Sequence, residues 1–223
     1  MSAALRTSSS PPTRSLAPAI KRPRGRPRKT ADEREEGNRR RALVTAAARL
    51  FRRKGFAATT TRDIAAAVGM HAGSPFYHFA SKEALLQAVM VEGMRGALER
   101  QDAVLLNTAD PAASLRQLIR NHFGVLLGPG SDFIPVMLYE GRSLNARQRA
   151  SVNRLQAKYE SAWVPVLQAL MAAGRMRGDL HLARLLIFGA LNWSAQWYRA
   201  RKPATLDDLT DAAIALFIHP EAA

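Results

Sequence analysis

Residues Arg39–Leu86 read RRRALVTAAARLFRRKGFAATTTRDIAAAVGMHAGSPFYHFASKEALL, three helical patterns punctuated by Gly55 and Gly69. Ala42, Leu43, Ala46, Ala47, Leu50 and Phe51 recur at helical spacing, so the first segment buries one stripe and turns an arginine-rich face outward. Gly55 ends it. Thr60 followed by Asp63 has the form of a capping box, and the helix it opens, carrying Ile64, Ala65 and Val68, stops at Gly69. Gly69–Ala72 leaves room only for a tight turn, which forces the next helix, expected over Ala72–Phe79, to cross its predecessor steeply, as in a helix-turn-helix. In AGSPFYHF small residues lead and rings follow, so the first turn can approach a base edge while Phe76 and Phe79 anchor the helix. Pro75 falls at its fourth position, where the backbone N–H has no helical partner to lose.

The succession TTTRDIAAAVG, a short turn, GSPFYHF and SKEALL resembles the head of the TetR family of bacterial transcriptional regulators. The resemblance implies a dimeric, all-helical repressor whose third helix enters the major groove and whose larger C-terminal domain binds a small effector. Most members carry leucine then tyrosine where this chain has Pro75 and Phe76. The phosphate contact usually made by that tyrosine is therefore lost, or moved to Tyr77.

Composition narrows the partners. The 223 residues are 47% hydrophobic, enough for an ordinary core, and carry a net charge of +15. Of that charge, +12 lies within residues 1–60, which hold 16 Lys and Arg against 4 Asp and Glu. A basic front on a near-neutral body calls for a polyanion at one end, and double-stranded DNA fits better than a membrane because no amphipathic helix accompanies the charge. A merely solubilising tail is the alternative. The absence of cysteine excludes a disulfide framework, a thiolate zinc site and a cysteine nucleophile, and it suits a reducing cytoplasm. There is no signal-peptide pattern, and the longest apolar run, Leu185–Leu191, is far below the ~20 residues that span a bilayer. A cytoplasmic, nucleoid-associated bacterial protein is expected, with no membrane partner.

Three regions follow in order: a basic tail over 1–37, a head over 38–82 and a body over 83–223. The first 20 residues are rich in Ser, Pro and Ala and are expected to be disordered. KRPRGRPRK, residues 21–29, looks like an AT-hook, in which Arg24 and Arg26 flank a glycine and enter a narrow A·T-rich minor groove. An extended chain from Arg28 to Asn38 would let it reach the groove beside the head. The body reads as helices throughout. Ser81 caps one from Lys82 to about Leu105; Asp110 and Pro111 start another that Gly128-Pro129-Gly130 stops. Phe133–Tyr139 is a short apolar segment, and Asn145 caps a long helix reaching Ala173 that Pro165 must kink or split. After the Gly174–Asp179 loop come an apolar helix over Leu180–Arg199 and, behind a second Thr-Asp capping box at Thr205 and Asp208, a last helix over Leu206–Ile218. The fold class is all-α: an N-terminal three-helix helix-turn-helix DNA-binding domain and a C-terminal helical effector-binding and dimerisation domain.

FGALNWSAQWYR resembles the C-terminal domain of a TetR subgroup that includes regulators of lipid and sterol breakdown responsive to acyl-CoA thioesters. That resemblance makes a small apolar effector, an acyl-CoA before a neutral lipophile, the expected ligand. Met90, Met94, Phe123, Met137, Tyr139, Trp163 and Phe188 are its candidate lining, with Arg142, Arg147 and Arg149 near enough in sequence to meet phosphates. Trp193 and Trp197, four apart, with Leu209 and Phe217 on the last helix, suit the seam of a homodimer. For DNA, His71, Ala72, Ser74, Tyr77 and His78 are the base-facing candidates, while Arg39, Arg40, Arg41, Thr60, Thr61, Arg62 and Lys82 would hold phosphates. Arg52, Arg53 and Lys54 are divided between phosphate and plain solvation. His122, on an apolar face, reads as a satisfied core histidine rather than a ligand. No cofactor or metal is called for. The rival readings are an enzyme, for which no nucleophile elbow, Walker loop or H-E-x-x-H is present, and an architectural DNA binder without an effector.

Overall fold

The computed structural model describes residues 31–105, 110–199 and 204–219, apart from the side chains of 31–33 and Ser74. The expected tail disorder, the hook-like segment 21–29 with Arg24 and Arg26, and the side chain of Ser74 lie outside it. The described residues form ten α-helices and no strand. They are α1 Ala31–Lys54, α2 Thr61–Ala67, α3 Ser74–His78, α4 Lys82–Leu105, α5 Pro111–Leu127, α6 Phe133–Glu140, α7 Ala146–Ser161, α8 Val164–Ala172, α9 Leu180–Trp197 and α10 Leu206–Phe217, with one 3₁₀ turn at Gly141–Ser143.

Most boundaries follow local chemistry. Thr60, Asn145 and Thr205 make complete capping boxes, and the Asp110 and Asp179 side chains cap α5 and α9. Gly55 takes φ +80° and Gly69 φ +67°, the left-handed conformation that ends α1 and opens the turn after α2. Two expectations change. Residues 31–38 are helical rather than extended, so α1 begins well before Asn38, carried by helix formers such as Glu35 and Glu36. The third helix is shorter than Ala72–Phe79: Gly73 caps it, Pro75 sits at its second position, and Phe79 already has extended backbone. Of the kink or split expected at Pro165, the structure has the split, because the Pro165 ring would collide with the carbonyl of Ser161, where α7 ends.

Two hydrophobic clusters organise the chain. One joins Leu43, Phe51, Ile64 and Phe79 of the head to Leu85, Leu86, Val89 and Met90 of α4 and to Val136 of α6. The other joins Met94 and Leu98 of α4 to α5, α8 and α9. The head was expected to close at Lys82, but its core extends along α4 to Met90. Close approach of α4 to α6 depends on Gly93, where an added Cβ would lie 2.6 Å from Phe133 Cβ.

The second cluster buries polar groups in pairs. Gln101 is fully buried; its amide donates to the Tyr159 carbonyl at 3.0 Å and accepts from Trp163 Nε1 at 2.7 Å, tying α4 to the α7–α8 break. His122 has Tyr159 Oη 3.2 Å from Nδ1 and Asn192 Oδ1 3.2 Å from Nε2. Burial pulls its pKa from 6.5 to about 4, against the smaller opposing effect of the Asn192 bond, and burial likewise pushes the Tyr159 phenol up. The neutral imidazole thus donates from Nε2 to Asn192 and accepts the Tyr159 proton at Nδ1.

Gly93→Ala should therefore destabilise the protein by about 1–2 kcal/mol, overpacking outweighing the gain in helix propensity. Gly96→Ala, on the same helix with nothing within 4 Å of the new Cβ, should be neutral or stabilising. Urea unfolding of the two variants reads the contrast. A second expectation concerns pH. The unfolded chain takes up a proton on His122 below 6.5 and the folded chain only below about 4, so this contribution is complete above pH 6.5 and lost as pH falls toward 4. The loss amounts to about 3 kcal/mol. His122→Leu should flatten the slope of unfolding free energy against pH in that window.

Candidate functional site

The exposed side of the head gathers much of the expected DNA-reading set. Tyr77 is 81% exposed and stands edge-on to His78, ring centroids 5.3 Å apart. His71, Tyr77, His78 and Arg39 border one open groove between the N-terminal half of α1 and the α2–α3 unit, and Glu35 and Glu36 border it too. The two acids were absent from the sequence reading, since only the early start of α1 brings them there. Ala72 and Arg62 are exposed. Phe76 is 56% exposed and does not anchor α3; buried Pro75 and Phe79 do, because so short a helix turns only one narrow side inward.

The phosphate candidates divide. Arg39 pairs with Glu35 one turn back, and Arg40 stacks over the Phe79 ring at 4.8 Å. The Thr60 hydroxyl is occupied as the cap of Asp63 N, and the Asp63 carboxylate, held below its usual range first by the Thr60 backbone N–H, completes the box. Thr61 is half-buried. Lys82 departs most from expectation: its ammonium donates to Phe56 O at 2.9 Å and Thr59 O at 3.0 Å and lies over the Phe56 ring. With two of three protons committed, its main work is to hold the loop between α1 and α2.

Head and body meet through α6. Arg52 donates to Ser131 O at 2.7 Å and to Asp132 Oδ1 at 3.1 Å, just before the helix, and Phe56 N donates to Glu140 Oε1 at 2.9 Å, its last residue. Arg52 is therefore a structural tie between head and body. Lys54 lies 3.9 Å from Asp63.

Between its ends, α6 forms a wall of a cavity of about 30 Å³. Met94, Ala97, Val125, Ile134, Met137, Leu138 and Phe188 make the apolar side; His122, Gln156, Tyr159, Glu160 and Asn192 make the polar side. Of the expected lining, Met94, Met137 and Phe188 are present. Met90 belongs to the head cluster, since the two ends of α4 serve different cores. Trp163 and Phe123 pack in the body core outside the cavity wall, Trp163 behind the His122 ring at 6.0 Å. Tyr139 is half-exposed on a separate cleft under the head. The polar side was missed because its members come from α5, α7 and α9, whose meeting no local pattern announces.

Ala97, Val125 and Ile134 also line an adjoining, larger cleft of about 520 Å³, bordered by Arg40, Arg41 and Arg100, with Glu92 among them. Arg142, Arg147 and Arg149 line neither space, and Arg149 caps the Leu144 carbonyl at 2.9 Å. The arginines that border this cleft are thus two from α1 and one from α4, not the three expected to meet phosphates.

A third surface is apolar. Trp193 is 65% and Trp197 52% exposed on α9, together with Leu182, Leu185 and Leu186. Leu209 and Phe217 are not part of it. Both pack inward against the body core, because α10 lies on α5, where Asp207 and Asp211 pair with Arg120 and Arg116. Leu216 is the exposed apolar residue of α10. No helix among the described residues is long and apolar enough to cross a membrane.

Comparison with known proteins agrees with this arrangement. A family model described as bacterial regulatory proteins, tetR family, matches residues 43–89; one described as tetracyclin repressor-like, C-terminal domain, matches 108–220; the AT hook motif matches 21–33. The transcriptional repressor KstR2 of Rhodococcus jostii strain RHA1 is 27% identical over 188 residues, 82% of this chain and 91% of that protein. AibR, solved in complex with isovaleryl coenzyme A and operator DNA, superposes with a TM-score of 0.75 at 25% identity, over 80% of this chain and 97% of AibR. A protein described as the superantigen PfiT superposes with a TM-score of 0.70 at 38% identity, over 80% of this chain and 95% of its own. The family models and KstR2 describe regulators, not enzymes. The chain belongs to the TetR family: it is a DNA-binding transcriptional regulator that acts as a dimer and responds to a small effector.

Proposed function

We propose that this protein represses its target genes in the absence of effector and is released from its operator by an acyl thioester of coenzyme A. The observation that carries the reading is the shared wall of Ala97, Val125 and Ile134 between an apolar cavity and a cleft bordered by Arg40, Arg41 and Arg100. An amphiphile with an apolar end and several phosphates matches that pair of spaces; a neutral lipophile leaves the arginines unused. The AibR complex with isovaleryl coenzyme A supports the same class. At about 30 Å³ the cavity admits water but not an acyl chain, so binding has to part α4 from α6. Methionines 94 and 137 can yield to it. Because α6 holds the head through Asp132 and Glu140, and α4 shares the head's core, this parting tilts the head. The two recognition helices of the dimer then leave the ~34–36 Å spacing of successive major grooves.

The reading places Tyr77, His71 and Arg62 on DNA, a cytoplasmic protein at the nucleoid, and no catalytic step. It takes α9 as the dimer seam, with Trp193, Trp197 and Leu186 outward. Two expectations follow. Titrating acyl-CoAs of graded chain length and steroid thioesters into a preformed operator complex should weaken DNA binding ~5- to 150-fold. Arg100→Ala should raise the acyl-CoA concentration required by about tenfold or more. Release by neutral lipophiles alone would rule out the thioester. As for the seam, Leu186→Glu or Trp193→Glu should yield a folded monomer in sedimentation, whereas Leu209→Glu should cost stability through the core. An intact dimer for both α9 variants would reject the seam.

A further inference from the structure

The two spaces joined at Ala97, Val125 and Ile134 have a direction. The arginine-bordered cleft is lined from α1, α4, α5 and α6 and from the loop before α6, with nothing from α7 or α9. Gln156, Tyr159, Glu160, Phe188 and Asn192 of the cavity come from α7 and α9, so its polar side is the end remote from the cleft. A ligand entering with its phosphates at Arg41 and Arg100 meets apolar walls first and polar ones last.

A saturated chain needs no such end. Of the polar residues at this end, Glu160 is already spent, on Arg184 and on the Gln156 amide nitrogen at 2.9 Å. The Asn192 Nδ2 and the Gln156 Oε1 make no bond to another described residue. The chain from Tyr159 through His122 to Asn192 is also reversible. A neutral imidazole has two tautomers, and moving its proton from Nε2 to Nδ1 turns Tyr159 from donor toward His122 into acceptor. The phenol O–H is then free to point into the cavity, while the Asn192 amide, turned over, donates to Nε2. The same side can thus donate to a carbonyl through Tyr159 or Asn192, or accept from a hydroxyl at Gln156 Oε1.

We propose that this polar end selects acyl thioesters that carry an oxygen function, a carbonyl or a hydroxyl, on the part of the acyl group remote from the thioester. The inference rests on the thioester reading above and adds which thioesters. Selection of this kind is steep, because an effector lacking the oxygen occupies the space and leaves buried polar groups without partners.

The experiment is an operator-release titration of the full-length protein with three CoA thioesters of equal chain length: saturated, terminally hydroxylated and subterminally oxidised to a ketone. At least one oxygenated thioester should release the operator at a concentration ~10- to 100-fold below that of the saturated one. Tyr159→Phe and Asn192→Leu, each first checked for unchanged operator affinity without ligand, should shrink that ratio toward unity. In the wild type, the His122 ring-nitrogen signals report which donor is used: a tautomer change with the keto thioester assigns Tyr159, an unchanged tautomer assigns Asn192, and the saturated thioester should cause no change. Equal potency of the three thioesters, or a ratio that survives both substitutions, would overturn the inference and leave the thioester reading standing. Failure of all three to release the operator would overturn both.

Discussion

Helix α6 is eight residues long and held at both ends by the other half of the molecule. Arg52 grips the backbone and carboxylate at its start, Glu140 accepts from Phe56 N at its finish, and Gly93 of α4 lets Phe133 approach where any side chain would collide. Between these fixed points, Ile134, Met137 and Leu138 form one wall of the cavity that the buried His122 and Tyr159 also line. A short helix restrained in this way cannot move alone. Both α6 and α4, which line the cavity, also carry head contacts. On the proposed reading, packing is what would link a ligand to the position of the recognition helix.

The charge distribution adds a second link. Arg40 and Arg41 lie on the head helix that also carries Arg39 to the DNA-facing groove, yet they border the cleft toward the body. A polyanion on the operator and a phosphorylated effector in the cleft would draw on the same short stretch of α1. At the ~8 Å screening length of physiological salt, neutralising one arginine is felt by its neighbours on that helix. Effector and DNA can thus oppose each other electrostatically as well as through helix position.

The body's polar interior divides by task. Gln101 is satisfied twice, by Tyr159 O and Trp163 Nε1, and with Trp163 wholly buried it acts as a lock between α4 and the α7–α8 break. His122 sits beside this lock but faces the cavity, and its bonds can be made in either direction. Both nitrogens of the buried ring are thereby partnered, by Tyr159 and Asn192, which avoids the cost of an unpaired buried imidazole.

Local rules in the chain alone determined most of the secondary structure. The capping boxes at Thr60, Asn145 and Thr205, the Asp110-Pro111 start and the left-handed Gly55 and Gly69 are short-range chemistry, and Pro165 has to kink or split its helix. The helix-turn-helix head was legible for the same reason, since α2, the turn at Gly69 and α3 lie within one contiguous stretch, and the candidates His71, Tyr77, His78 and Arg39 border one groove there. Tertiary packing decided everything that depends on which distant side chains share a space. It withdrew Lys82 from the surface to two loop carbonyls, turned Leu209 and Phe217 inward, moved Met90 into the head's core, and exchanged Arg142, Arg147 and Arg149 for Arg40, Arg41 and Arg100 at the cleft. It also assembled His122, Tyr159 and Asn192 from three helices. Periodicity tells which face of a helix is buried, but not which partner buries it; that partner is set by how ten helices fill one volume, and the cavity is what their filling leaves.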